Sequence, residues 1–264
     1  MVADVASGTT HARPRIRIQG AVKSFSGRVV VDVDDLVIGV HPIEGLIGPN
    51  GAGKTTLMRM VMHSTPLDRG AITLVRAPGD EVVLSSLPAW RMAGHGVVKS
   101  NQVITDFDKL TILDSLLLAV TEARYEQPHR VRSEAVAYGL HEAEIRSRLE
   151  SFGFADPMGF ALSAGEKKLL DIVRCLLLKP TFLLLDEPTA GLPGELTEKV
   201  MAAIRELAAS GTNVVIVEHD LNVIWSLCDD VLFMAEGKVA LRGAPREIRD
   251  HRIVVEKYLG EGHV

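Results

Sequence analysis

Four short runs of this chain carry residues of the kind that handle a phosphate chain. GPNGAGKTT at 48–56 sets Gly48, Asn50, Gly51, Gly53, Lys54, Thr55 and Thr56 in the spacing G-x-x-x-x-G-K-[ST]. Glycines let such a loop curl until successive backbone N–H groups face one anion, and a helix beginning near Gly53 adds its positive end. The Lys54 ammonium then reaches β- and γ-phosphates, the Thr55 hydroxyl a magnesium ion, and the Thr56 hydroxyl the α-phosphate. FLLLDE at 182–187 ends an apolar run on two carboxylates, which are costly to bury without a cation or hydrogen bonds. Asp186 suits the metal, directly or through water. Glu187 suits the attacking water, because phosphoryl transfer asks for positioning more than for covalent help. NVVIVEHD at 213–220 should bring His219 out at the same edge; a γ-phosphate contact is its functional reading, a structural strand-end histidine the plainer one.

The fourth run, LSAGE at 162–166, is of another kind. Ser163 and Glu166 form the S-x-x-E capping box, which satisfies the first free N–H groups of a helix. Ala164 and Gly165 add something that capping does not need, an open helix end where an outside anion can approach Ser163 and the Gly165 N–H. Such an anion is of use only if a second chain brings it, so the combination points to a nucleoside triphosphatase that works in pairs.

Behind these residues the pattern requires a mainly parallel sheet. IRIQG and VVVDVDDLVI read as strands around a turn at Ser26-Gly27, EGLIG as a buried strand feeding the glycine loop, and TTLMRMVM as the helix after it. AITLV and EVVLSS are β-like pieces broken at Pro78-Gly79. ILDSLLLAVTEARY and HEAEIRSRLESFGF have helical spacing, so an all-helical lobe at about 103–178 interrupts the strand-rich chain. Then follow a helix at 163–178, the strand FLLLDE, the helix GELTEKVMAAIRELAAS, the strand NVVIVEHD, a helix NVIWSLC, a hairpin turning at Glu236-Gly237 and a helical tail. Strands alternating with helices imply an α/β fold with helices on both faces, whose strand ends before Gly48 and at Asp186 open on one crevice.

The chain has 264 residues, 47% hydrophobic and 24% charged, with a formal net charge of −5. That balance argues against a duplex-binding surface and so against nucleic acid as a partner. Arg13, Arg15 and Arg17 read as a solvated lead-in to the first strand, and residues 1–14 as a loose tail ahead of one domain at 15–264. Cys175 and Cys228 read as buried free thiols rather than a disulfide. No apolar stretch is long enough to cross a bilayer and the N-terminus has no secretory h-region, so the expected place is the cytoplasm.

GPNGAGKTT, Gln102, LSAGE, FLLLDEP and His219 together have the order and spacing of the ATP-binding cassette (ABC) family, which this chain resembles from about residue 16 onward. The resemblance implies a P-loop core lobe, an antiparallel β-subdomain and an inserted α-helical lobe, with ATP and Mg2+ as cofactors. It implies that two such subunits close head to tail over two ATP molecules, so that Ser163, Gly165 and Glu166 touch the nucleotide held by the other. Phe25 then matches the aromatic that stacks on adenine, with a core phenylalanine as the plainer alternative. Gln102 matches the glutamine that senses magnesium and the attacking water. Two departures stand out: Pro193 where the family usually has Asp or Asn, and Glu166 where Gln is common.

GHGVVKSNQVITDFDKLTILDSLLLA, DEPTAGL and the ending VVEKYLG are most like the ATPases of branched-chain amino-acid and urea uptake systems. Lys99-Ser100-Asn101 departs from the Arg-Thr-Phe common in them, and the ATPases of lipopolysaccharide-type exporters share several of these features. The implied partners are a second ATPase subunit, a membrane permease and an extracellular solute-binding protein. They would hold the chain on the inner face of the membrane, with Val103, Phe107, Leu110 and Ile112 as the permease-docking surface or, equally, internal packing. A soluble ABC motor and a non-hydrolysing regulatory module are the rival readings. A P-loop kinase or GTPase needs no LSAGE.

Overall fold

The chain is described here by a computed structural model covering residues 13–100, 110–120, 131–154 and 162–259. Two sheets form its frame. A four-stranded antiparallel sheet runs β2-β1-β4-β5, with β1 Arg15–Phe25, β2 Arg28–Ile38, β4 Arg69–Ala77 and β5 Asp80–Val83. A six-stranded sheet runs β10-β9-β3-β8-β7-β6, with β3 Ile43–Ile47, β6 Val97–Lys99, β7 Phe182–Asp186, β8 Asn213–Val217, β9 Asp230–Ala235 and β10 Lys238–Gly243. All its neighbouring pairs are parallel except β9 with β10.

The parallel strands are continuous apolar runs because both of their faces are covered. Successive residues point to opposite sides: Leu183, Leu185, Val214 and Ile216 join one buried cluster, and Phe182, Leu184, Val215 and Val217 the other. The second cluster fills the space between the two sheets around α1 (Lys54–Val61), whose Leu57, Met58, Met60 and Val61 lie in it. The first takes its helical residues from α2 (Ile112–Val120), α3 (Val131–Phe152), α4 (Ala164–Leu177), α5 (Gly194–Ala209), α6 (Leu221–Leu227), α7 (Pro245–Arg249) and α8 (Arg252–Leu259). Leu116, Ile145, Leu149 and Val173 bring the inserted helices into that same core.

Most elements fall where periodicity places them, and the differences have local causes. Helix α3 begins ten residues before His141, in VRSEAVAYGL, where irregular apolar spacing and Gly139 hide its start. EVVLSS is strand only to Val83, and Leu84–Ser86 turn as a 3-10 helix. The tail breaks into α7 and α8, with Asp250 ending the first. Strand β6 was not anticipated; three residues are too few for a period to declare itself.

Arg13 is no solvated lead-in. Its guanidinium donates to the carbonyls of Ala208 and Thr212, at and just beyond the end of α5, where a helix leaves carbonyls without intrahelical partners and favours positive charge. Pro14 accepts a hydrogen bond from the Asn213 side chain. Both cysteines are buried and free, and burial pushes both thiols up. Ile112 is 5% exposed and belongs to packing. Val103, Phe107 and Gln102 lie outside the described residues, as do residues 1–12.

At the end of the sheet away from the glycine loop, Arg242 bonds Asp230 at 2.6 Å, Glu44 at 2.9 Å and the Val37 carbonyl. Glu44, fully buried, also accepts from the N–H groups of Gly39, Val40 and His41. These bonds join the two sheets. At the other end the β9–β10 turn does the same, since Gly237 N–H donates to Ala52 at 3.1 Å and its carbonyl accepts from Asp32 at 2.8 Å.

Candidate functional site

Because β3, β6, β7 and β8 are parallel, their C-terminal ends emerge along one edge, and β8 lies between β3 and β7. The glycine loop follows β3, Asp186 and Glu187 follow β7, and His219 follows β8. A cleft of about 300 Å³ opens there, lined by residues 50–56 of the loop with Val30, Glu187, Val217 and His219. It is at the small end of the roughly 300–1,000 Å³ usual for ligand clefts.

The loop is held in shape by contacts that only glycine permits. Gly48 sits at φ +152°, and a Cβ there would lie 2.0 Å from the Met234 carbonyl oxygen. Gly53, which precedes α1 at φ +102°, would bring a Cβ to 2.6 Å from the Val30 carbonyl oxygen. Lys54 is 6% exposed, and its ammonium donates to the carbonyls of Gly48 at 2.6 Å and Pro49 at 3.1 Å. Burial pulls the Lys54 pKa down, and the charges of Glu187 and then Asp186 pull it partly back. Thr55 and Thr56 stand on the first turn of α1, on the wall of the cleft.

Glu187 has φ +51°, a conformation that non-glycine residues adopt at a cost of about 1–3 kcal/mol. Its N–H donates to the Val217 carbonyl at 2.8 Å. Its carboxylate lies 3.2 Å from Nε2 of His219. The structure thus brings together two residues that sequence had placed on separate strands. Behind them stands Glu218, 1% exposed, which accepts from Thr189 N–H at 2.7 Å, Thr189 Oγ1 at 2.6 Å and His219 N–H at 3.2 Å. This clamp ties the loop after Glu187 to the end of β8, and sequence reading passed over it. The available signal was an acid inside the NVVIVEH run, where burial demands a partner.

Asp186 is nearly wholly buried, and its carboxylate oxygens differ. Oδ2 is 3.2 Å from the Lys99 ammonium. Oδ1 is buried without a hydrogen-bond partner among the described residues. Such an orphan beside a phosphate loop fits a cation or a cation's water. No cluster of three or more His, Cys, Asp or Glu able to hold a metal occurs among the described residues. The orphaned oxygen suits magnesium, which takes one or two protein ligands and draws the rest from phosphate and water. The residues present fit the ion, and Thr55 and Asp186 are the side chains that would hold it.

Phe25 ends β1 at 49% exposure with Lys23 Nζ 5.4 Å from its ring centre. It is no core phenylalanine; one face carries a cation, and the exposure leaves the ring accessible. The cleft is not lined by it.

Ser163, Gly165 and Glu166 stand apart from this cleft. The capping box forms as expected: Ser163 Oγ accepts from Glu166 N–H at 3.3 Å and donates to Glu166 Oε2 at 2.7 Å, which also accepts from Ser163 N–H at 2.8 Å. The Ser163 hydroxyl, then its N–H, hold the Glu166 carboxyl below its ordinary range. Gly165 is not required by the backbone, since an added Cβ would meet only Leu192 at 3.6 Å, an ordinary contact. Further along α4, Lys168 donates to the Ala190 carbonyl at 2.9 Å, joining α4 to the loop beyond Glu187. Pro193, at the start of α5, offers no side-chain cap; its carbonyl accepts from Leu196 and Thr197 instead.

Comparison with known proteins agrees with this geometry. The ABC transporter family profile matches residues 35–190. The chain is 31% identical over 261 residues to the high-affinity branched-chain amino acid transport ATP-binding protein BraF of Pseudomonas aeruginosa, covering 95% of this chain and 99% of that one. It is 33% identical over 239 residues to the lipopolysaccharide export system ATP-binding protein LptB of Escherichia coli, covering 90% and 94%. Among solved structures, a nucleotide-free ATP-binding cassette from an ABC transporter superposes with a TM-score of 0.75 at 23% identity, covering 93% of this chain and 98% of that one. A dimeric post-hydrolysis cassette bound to ADP and Pi gives 0.71 at 19% identity, covering 88% and 99%. The chain belongs to the ABC transporter family and is one of its ATP-binding, ATP-hydrolysing subunits.

Proposed function

We propose that this subunit closes with a second cassette over ATP and Mg2+ to drive branched-chain amino-acid uptake through a separate membrane permease. The observation that carries the ATPase half of this reading is the 3.2 Å approach of Glu187 to His219 in the phosphate-loop cleft. Lys54 and the N–H groups of residues 50–56 hold the β- and γ-phosphates. Magnesium, when bound, neutralises phosphate charge, with Thr55 and Asp186 as its protein contacts. Glu187 takes hydrogen bonds from the attacking water and orients it; His219 steadies Glu187 and meets the γ-phosphate. Phe25 stacks on adenine, and Gln102, which lies outside the described residues, is the glutamine expected to sense the metal and the attacking water.

The second nucleotide contact is made in trans. Ser163, Gly165 and Glu166 face outward, and a γ-phosphate held by the neighbouring subunit supplies the anion that the start of α4 favours. Turning a mostly open pair into a mostly closed one takes about 5.5 kcal/mol of differential binding. A few charge-assisted hydrogen bonds at ~1.5–3 kcal/mol each suffice. Hydrolysis removes the shared phosphate and the pair reopens.

The uptake assignment rests on relatives. BraF matches nearly end to end, as does the branched-chain amino acid transport protein LivG of Salmonella typhimurium, 30% identical over 258 residues. Lipopolysaccharide export is the second reading, favoured by the 33% identity to LptB. The permease would hold the chain at the inner face of the membrane, and an extracellular solute-binding protein would complete an uptake system. Among the described residues no helix is long and apolar enough to span a bilayer.

Glu187→Gln tests the mechanism. The variant should bind ATP normally, lose turnover by at least ~100-fold and accumulate as a dimer in light scattering. A variant that hydrolyses ATP at the wild-type rate removes Glu187 from its role. Co-purification of the tagged chain from detergent-solubilised membranes tests the transport half: an uptake permease supports it, and a lipopolysaccharide-export permease replaces it with the second reading.

A further inference from the structure

Lys99 is a cation the proposed mechanism leaves unused. It ends β6, the strand at the sheet edge, and pairs in parallel register with Leu184 of β7, two residues before Asp186. Its ammonium lies 3.2 Å from Asp186 Oδ2 and 3.1 Å from the Ser100 carbonyl. The next residue completes the grip, because Ser100 Oγ accepts from Asp186 N–H at 3.0 Å. The last residue of β6 and the one after it therefore fix both the carboxylate and the backbone of Asp186. The side chains are 15% and 1% exposed, so the pair is poorly screened by solvent. Asp186 Oδ1 alone is left over.

We propose that Lys99 is a positioning residue and resident counter-cation for Asp186, which orients Oδ1 toward the divalent-ion position and holds the free protein's affinity for that ion low. The proposal rests on the reading of Asp186 as the metal's protein contact. A buried carboxylate already paired with an ammonium presents little net negative charge, and a nearby ammonium opposes a divalent cation. The nucleotide's phosphates must then supply the attraction, so the metal arrives with ATP and leaves with the products instead of lodging on Asp186 between turnovers. Replacing Lys99 by a neutral residue removes the opposing charge. Arginine keeps it.

The test is a titration of Mn2+, standing in for Mg2+, read by the electron paramagnetic resonance of the free ion at pH 8. It is run on protein alone and on protein saturated with a non-hydrolysable ATP analogue. Lys99→Met should bind Mn2+ about tenfold more tightly than wild type in the presence of the analogue, and should gain measurable binding without it. Lys99→Arg should stay within about twofold of wild type. Lys99→Gln runs the same measurement if the methionine variant does not fold. A neutral variant that melts lower yet binds Mn2+ no more tightly overturns the proposal and leaves Lys99 a structural ion pair. Asp186→Asn separates the underlying reading: undiminished Mn2+ affinity there removes Asp186 from the metal and overturns this proposal with it, whereas a large loss keeps the site reading whichever way Lys99 falls.

Discussion

The loop after β3 and the start of α4 both present backbone N–H groups at a helix N-terminus, yet they are built in opposite ways. The loop is enclosed: Gly48 and Gly53 press against Met234 and Val30, Lys54 is buried, and Glu187 and His219 close the opposite wall. The start of α4 is exposed, its capping box contained within residues 163–166 and its Gly165 under no steric demand. Glycine in the loop is a requirement of the fold; glycine at 165 is not, and in the proposed function it serves the contact with the neighbouring subunit. The start of α4 takes no part in lining the cleft, which is what the proposed trans contact requires.

That contrast can be broken most severely at Lys54. Lys54→Ala should lose ATP affinity by at least ~100-fold in equilibrium dialysis, since a buried ammonium that reaches phosphate has no substitute; normal affinity there would place the nucleotide elsewhere. The two glycines sharpen it next. Gly53→Ala should lower unfolding stability by roughly 2–3 kcal/mol in urea melts, because its Cβ collides with a carbonyl and its φ is positive. Gly165→Ala should leave stability level or up to about 1 kcal/mol higher, as alanine suits a helix better, while weakening ATP-driven dimerisation of the Glu187→Gln protein about tenfold. Equal effects of the two substitutions would erase the distinction.

The smallest effect is expected at Pro193. An aspartate there supplies the side-chain cap α5 lacks and should add about 1 kcal/mol, or about 2–4 °C in thermal melting. No change would mean that the Pro193 carbonyl already satisfies that end of the helix.

Much of the candidate site was legible before any fold was known, and the reason is its locality. Lys54 bonds carbonyls five and six residues back, and the capping box closes within four residues, so residue type and spacing carry the whole message. The continuous apolar runs in FLLLD and NVVIV likewise announced two strands with both faces buried. Even His219 and Glu187 were placed on the correct edge, because parallel strands must end together.

Sequence by itself determined the phosphate loop, the capped helix and the polarity of the strands, all of which follow from dihedral freedom, hydrogen bonds to near neighbours and apolar period. Only the tertiary structure decided which strand lies beside which, and with it the partners of the buried charges. Lys99 meets Asp186 across 87 residues of chain, Glu218 meets Thr189 across 29, and Arg13 reaches Ala208 across 195. Burial dictates that each of these charged groups must find a hydrogen-bond partner. Which partner it finds depends on strand order, and no local spacing encodes that.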